Sequence, residues 1–134
     1  MKHHLMVFVE NKPGKLEKVT QILADNNINI KFISVSSLGE FGIIKIIVDD
    51  TDKGLKVLKK ENFTVSKRNI LVSVLQDKPG ELHKLLKFLS ARNINLDDCY
   101  GYPLQQKDKI AMVIESDKYP EIKNILADHG YEIL

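Results

Sequence analysis

The sequence predicts an α+β protein made of two tandem βαββαβ units, each an antiparallel sheet with both helices on one face. Three observations predict it. The chain repeats itself at an offset of 66 residues: Asn11-Lys12-Pro13-Gly14-Lys15-Leu16 falls on Asp77-Lys78-Pro79-Gly80-Glu81-Leu82, and Asn27-Ile28-Asn29-Ile30 falls on Asn93-Ile94-Asn95-Leu96. Apolar spacing switches between strand-like and helix-like periods in the same order in both copies. Each copy fits six such segments into roughly 65 residues, the pattern of the split-βαβ, ferredoxin-like unit.

Taken in order, Leu5 to Val9 and Ile70 to Leu75 are apolar, β-branched runs, as buried strands require. A Pro-Gly turn follows, in which Pro fixes φ and Gly accepts a positive value. Leu16, Val19, Ile22 and Leu23, matched by Leu82, Leu85, Phe88 and Leu89, then form one apolar helical stripe. Asp25-Asn26-Asn27 and Arg92-Asn93 are polar stop signals, and the second strands are expected to open at Ile28 and Ile94. Loops over Gly39 to Gly42 and Pro103 to Lys107 lead to third strands at Ile43 to Val48 and Ile110 to Glu115. The second helices carry Leu55 and Leu58, or Ile122, Ile125 and Leu126. Pro120 suits a first helical turn, where its missing N–H is not needed. Phe63 to Ser66 and Tyr131 to Leu134 close the copies, with the register slipped by two. The expected domains are 1-67 and 68-134, separated only by Lys67-Arg68-Asn69. A unit this small buries only about 60 per cent of its unfolded surface, so the copies are expected to share an interface.

Composition excludes several functions. Twenty basic and 18 acidic side chains are spread along the chain for a net charge of +2, with no basic stripe for phosphates, so nucleic acid is not an expected partner. The third strands carry Ile43, Ile44, Ile46 and Ile110, Met112, Ile114 where RNA-binding sheets of this kind display aromatic residues. No apolar run approaches the roughly 20 residues of a membrane helix. The first ten residues have no signal-peptide core, and Cys99 is the only cysteine, so a cytoplasmic location is expected. His3, His4, His83 and His129 share no ligand spacing with one another or with Cys99, so neither a metal nor a cofactor is expected. His83 and His129 are read as solvated and His3 and His4 as terminal. Asp97-Asp98 is read as a solvated edge, and Tyr100 and Tyr102 as interface packing or edge decoration. No nucleophile–base pair, phosphate loop or acid pair is present, so the chain is not expected to be an enzyme.

The Asn/Asp-x-Pro-Gly-x-Leu turn, followed by Asn-Ile-Asn-Ile/Leu, resembles the ACT domain in both copies, together covering essentially the whole chain. The resemblance extends to Phe41-Gly42-Ile43 before the third strand and Val48-Asp49-Asp50 after it. It implies a non-catalytic regulatory protein that binds a small effector, usually an amino acid, between ACT domains, as a homodimer or with a partner enzyme. In serine-binding members, the residue before x-Pro-Gly and the asparagine opening the second strand contact the ligand. Those positions are Asn11 and Asn29 here, and Asp77 and Asn95 in the second copy. The full candidate set is Asn11, Pro13, Gly14, Lys15, Leu16, Asn29 and Ile30, with Asp77, Pro79, Gly80, Glu81, Leu82, Asn95 and Leu96. Val9 and Leu75 stand where serine-binding members have a contacting histidine, so the resemblance implies an amino acid without specifying serine.

Chemistry at the turns allows two readings. The start of a helix exposes unpaired N–H groups and a partial positive charge suited to a carboxylate, and an asparagine offers both a donor and an acceptor. Alternatively, Asn11 and Asp77 only cap their helices by accepting the N–H of Gly14 or Gly80. A ligand-free assembly module for a metabolic enzyme is the corresponding functional rival. The turns differ in charge: Asn-Lys-Pro-Gly-Lys is formally +2, and Asp-Lys-Pro-Gly-Glu is −1.

Overall fold

A computed structural model describes residues 2–134. The chain divides into two compact units, His3–Arg68 and Asn69–Leu134, with Lys2 at the start of β1 grouped with the latter. The first contains β1 (Lys2–Glu10), α1 (Lys15–Asp25), β2 (Ile30–Leu38), β3 (Phe41–Val48), α2 (Thr51–Lys60) and the opening of β4 (Thr64–Gln76). The second contains the remainder of β4, α3 (Glu81–Ser90), β5 (Asp98–Pro103), β6 (Lys109–Glu115), α4 (Tyr119–Asp128) and β7 (Glu132–Ile133). Strand order is β2-β3-β1-β4 in the first and β5-β6-β4-β7 in the second. Lys67, Arg68 and Asn69 form no linker loop; they lie inside β4.

Strand register shows why both helices share one face. In the first unit Leu5, Val7, Ile44 and Ile46 alternate along paired strands β1 and β3, and all are buried with Val19, Ile22 and Leu23 of α1 and Leu58 of α2. Side chains two apart in a strand point the same way, so one face of the sheet receives both helices. The second unit repeats this with Leu71, Leu75, Met112 and Ile114 against Leu85 and Leu89 of α3 and Ile122 and Leu126 of α4. Within α2, a Cβ at Gly54 would lie 3.2 Å from Leu5 Cδ1 and 3.4 Å from Val48 Cγ2, so glycine lets this helix approach the sheet closely.

Each helix ends in a Schellman motif. Asn27, Asn62, Asn93 and Gly130 have positive φ. Their N–H groups donate to Ala24, Lys59, Ser90 and Ala127, while the next residues, Ile28, Phe63, Ile94 and Tyr131, donate to Leu23, Leu58, Leu89 and Leu126. The first Asn-Ile of each Asn-Ile-Asn motif is therefore a helix stop, with Ile28 and Ile94 buried beneath it. This corrects the expected strand starts: β2 opens at Ile30 and β5 at Asp98. Pro120 sits in the first turn of α4, as expected.

Exposed apolar surface is concentrated in the first unit. Phe8, Leu16, Ile33, Val35, Leu38 and Phe41 lie there, against Leu82 and Leu134 in the second. Leu16 and Leu82, placed on the core stripe by periodicity, lie at the helix starts beyond the reach of the core clusters.

Candidate functional site

The two Pro-Gly turns have nearly identical backbones. Gly14 has φ 90° and ψ −14°, and Gly80 has φ 91° and ψ −16°; each is the N-cap of its helix, with no side-chain cap bond. The expected Asn11 and Asp77 caps are therefore not made, because the glycine itself occupies the cap position. A Cβ at either glycine would meet nothing within 4 Å, so the turn needs glycine for its left-handed φ rather than for close approach of a neighbour. The Lys15 N–H donates to Lys12 O across the turn, while Lys18 N–H donates to Gly14 O. Helix geometry gives the N–H groups of Leu16 and Glu17 no intrahelical acceptor, leaving a local anion-attracting end.

Asn11 braces the neighbouring hairpin. Its Nδ2 donates to Ser37 Oγ at 2.9 Å and to Gly39 O at 3.1 Å, and its backbone N–H donates to Glu40 O at 2.7 Å. With the amide hydrogens engaged, Oδ1 remains the acceptor on this side chain. Asn11, Lys15 and Leu16 border a recess of about 60 Å³, closed by Val35, Ser36, Ser37 and Gly42. Pro13 and Gly14 are exposed at the turn beside it. The β2 residues were missed by sequence reasoning; the consecutive Ser36-Ser37 pair, which breaks the alternation of the strand, was the available signal.

Asn29 is not part of this recess. It lies before Ile30 at the opposite end of β2, where its N–H donates to Asp49 Oδ1 and its carbonyl accepts from Asp49 N–H, both at 3.1 Å. Ile30 pairs with Val48, whereas Ser37 pairs with Gly42. Seven strand residues therefore separate the two candidate positions, roughly 23 Å at the usual rise. Within one unit the structure does not bring Asn11 and Asn29 together.

The second unit keeps the frame and changes the chemistry. Asp77 N–H donates to Asp108 O at 2.8 Å, equivalent to the Asn11 backbone bond. A carboxylate at Asp77 cannot donate as the Asn11 amide does. Pro79 and Leu82 are exposed around the turn, and Leu96 is half-buried beyond Asn95. Asn95 is exposed, and its carbonyl accepts from Ser116 Oγ at 2.9 Å. The two-residue Gly39-Glu40 turn is replaced by the longer Leu104 to Asp108 loop.

Neighbouring charges narrow the difference between the turns. Lys12 Nζ lies 2.7 Å from Glu10 Oε2, which holds the Glu10 carboxyl below its ordinary range. Glu10 has Gln76 as its counterpart, so adding that position changes the first turn from +2 to +1 and leaves the second at −1. Lys15 is then the main cation at the first turn. In the second turn, Glu81 draws both Lys78 and Lys84, at 3.7 and 3.1 Å.

Other candidate groups are structural. His129 is exposed, as expected, and also engaged: Nδ1 lies 2.9 Å from Ile125 O, Arg92 Nη2 lies 3.4 Å from Nε2, and Phe88 packs edge-on at 4.6 Å. His4 is fully buried within β1 rather than at a loose terminus. Asp97 is exposed, as expected, whereas Asp98, on the edge strand β5 opposite Glu115 of β6, is half-buried rather than solvated. Cys99 is exposed as a residue, but its thiol donates to Met112 Sδ at 3.6 Å, and partial burial of the thiol, reinforced by the Asp98 charge, pushes its pKa up. Burial likewise raises the phenols of Tyr100 and Tyr102.

A family model for an ACT domain pair matches residues 1–132. The chain belongs to the ACT domain pair family. Among solved structures, protein BT0572 from Bacteroides thetaiotaomicron is 31% identical, with 99% of this chain and 91% of that chain covered and a TM-score of 0.92. The regulatory subunit of aspartate kinase from Thermus thermophilus, in its ligand-free form, shares the fold at 15% identity, 95% and 91% coverage, and a TM-score of 0.66. The aspartokinase alpha and beta subunits are similar at 16% identity, 95% and 90% coverage, and a TM-score of 0.65. No curated protein matches the sequence. ACT pairing supports a regulatory, ligand-binding module, and no helix among the described residues is long and apolar enough to cross a membrane.

Proposed function

We propose that this ACT domain pair is a non-catalytic regulatory protein of the cytoplasm that binds an amino acid between ACT domains and signals through altered association. One observation carries the reading: the Asn11 recess is small and lies far from Asn29. At about 60 Å³ it accommodates a functional group, far below the usual 300–1,000 Å³ of ligand pockets. Its expected companion, Asn29, lies roughly 23 Å along the sheet, while one residue of main chain spans at most about 3.6 Å. An effector touching both kinds of asparagine must therefore take them from different ACT domains. Ligand binding is then linked to association, and a homodimer or a complex with a metabolic enzyme is the state it favours.

In this reading the open N–H groups of Leu16 and Glu17 receive the carboxylate. Asn11 Oδ1, held by the Ser37 and Gly39 bonds, accepts from the ammonium. An asparagine from another ACT domain completes the site. Asp77 and Glu81 make the second turn hostile to a carboxylate and better suited to an ammonium, so the turns are functionally unequal.

The exposed apolar surface around Val35, Leu38 and Phe41 favours the rival reading, an assembly module that needs no ligand. Thermal-shift measurements across the twenty common amino acids separate the two. Sensing predicts stabilisation by one amino acid or a small group, lost in both Asn11→Ala and Asn29→Ala. A silent panel supports assembly. Equal loss of affinity in Asn11→Asp and Asp77→Asn would remove the proposed inequality of the turns.

A further inference from the structure

A second, larger recess lies on the other side of the β1–α1 junction, again within the first unit. It measures about 470 Å³ and is lined by Phe8, Phe41 and Phe63 together with Lys15, Glu10 and Glu61. This volume is within the range of small-molecule sites, and an apolar lining with a few charged groups is their usual composition. Two of the three phenylalanines are conspicuously open to solvent: Phe41 is 63% exposed and Phe8 is 44% exposed.

Both electrical poles of a zwitterion have counterparts here. Lys15 is the first residue of α1, where the helix end is positive, and Glu61 is the C-cap of α2, where it is negative. Glu10 is already paired with Lys12, leaving Glu61 as the carboxylate for a ligand ammonium. We propose that this cleft binds a free aromatic amino acid, with its ring among Phe8, Phe41 and Phe63, its carboxylate at Lys15 and its ammonium at Glu61.

The second unit is an internal comparison. It forms a cleft at the matching place, about 320 Å³ in volume, so the fold makes the space and the side chains determine its occupant. There Glu81 replaces Lys15, His129 replaces Glu61, and Lys109 replaces Phe41 and lies 3.6 Å from Glu132. The anion at the helix start repels a carboxylate, and of the three phenylalanines only Phe63 keeps an aromatic counterpart, Tyr131, while Val74 stands for Phe8, so the aromatic ligand favours the first unit.

Titration of the full chain with L-phenylalanine, followed by ¹H–¹⁵N NMR, tests the assignment. Lys15 borders both recesses, so the variants are Phe41→Ala, which touches only this cleft, and Ser37→Ala, which touches only the Asn11 recess. The expected result is saturable shifts at Lys15, Glu61 and Phe63, with affinity reduced about tenfold or more by Phe41→Ala, a typical effect of truncating an aromatic anchor. Ser37→Ala should retain binding, and N-acetyl-L-phenylalanine amide, which lacks both charges, should bind more weakly. No saturable binding at millimolar concentration overturns the proposal. So does binding that survives Phe41→Ala but is lost in Ser37→Ala, a result that instead supports the Asn11 half-site. Dissociation of a dimer by Phe41→Ala in sedimentation velocity, without an effect of phenylalanine, also overturns it by assigning the cleft to a second copy.

Discussion

Replacing Gly14 with alanine isolates what the Pro-Gly turn demands of the backbone. At φ 90° an L side chain is strained, yet a Cβ at this position meets no atom within 4 Å. The cost is therefore conformational, with no steric overlap to add. Left-handed backbone costs a non-glycine residue roughly 1–2 kcal/mol, and at φ 90° this strain outweighs the partial offset from the smaller conformational entropy of the unfolded alanine variant. Gly14→Ala should lose about 1–2 kcal/mol, and Gly80→Ala the same amount, because φ differs by only one degree. In urea, with a slope near 2 kcal/mol/M, each midpoint should fall by about 0.5–1 M without a change in slope. Asn tolerates the left-handed region better than Ala, so Gly14→Asn should lose clearly less. Circular dichroism melts of the three variants provide the measurement. No loss would mean that the turn relaxes out of this conformation; a loss well above 3 kcal/mol would mean that the added methyl meets an occupant of the turn.

Other expectations follow from single contacts. Gly54→Ala should be nearly neutral, since about 1 kcal/mol of helix propensity opposes crowding of Leu5 and Val48, whereas Gly54→Val should cost about 2–3 kcal/mol by overpacking; urea midpoints give both values. The Glu10 carboxyl, held low by Lys12, should titrate by NMR below its ordinary 4.5 and return towards it in Lys12→Ala. Its contribution to stability is present above the unfolded value and lost as pH falls through the folded one, so Lys12→Ala should flatten that acidic limb. Cys99 should react with iodoacetamide at neutral pH more slowly than free cysteine, because burial and Asp98 raise its pKa.

Much of the fold was legible because duplicated signals reinforced one another. Pro-Gly at matched positions identified two equivalent turns, and Val19, Ile22 and Leu23 with Leu85 and Leu89 pointed to the buried helix faces. Strand starts were misread where Ile28 and Ile94 serve a Schellman stop; an apolar residue after asparagine has the same local pattern whether it opens a strand or covers a helix end. The site was only partly legible. Asn11 was identified, but its partners Ser37 and Gly39 lie 26 and 28 residues away, joined through the β2–β3 hairpin. The separation of Asn11 from Asn29 was hidden because 18 residues of sequence say nothing about opposite ends of a strand. The aromatic cleft was missed for the same reason: Phe8 lies in β1, Phe41 in β3 and Phe63 in the connection from α2 to β4.

The central claim, an amino-acid site shared between ACT domains, is tested most directly by calorimetric titration paired with sedimentation velocity on the same sample. The account predicts saturable binding of at least one common amino acid, a ligand-dependent change in association state, and affinity losses of about tenfold or more in both Asn11→Ala and Asn29→Ala. Binding that leaves association unchanged and survives either substitution would contradict it.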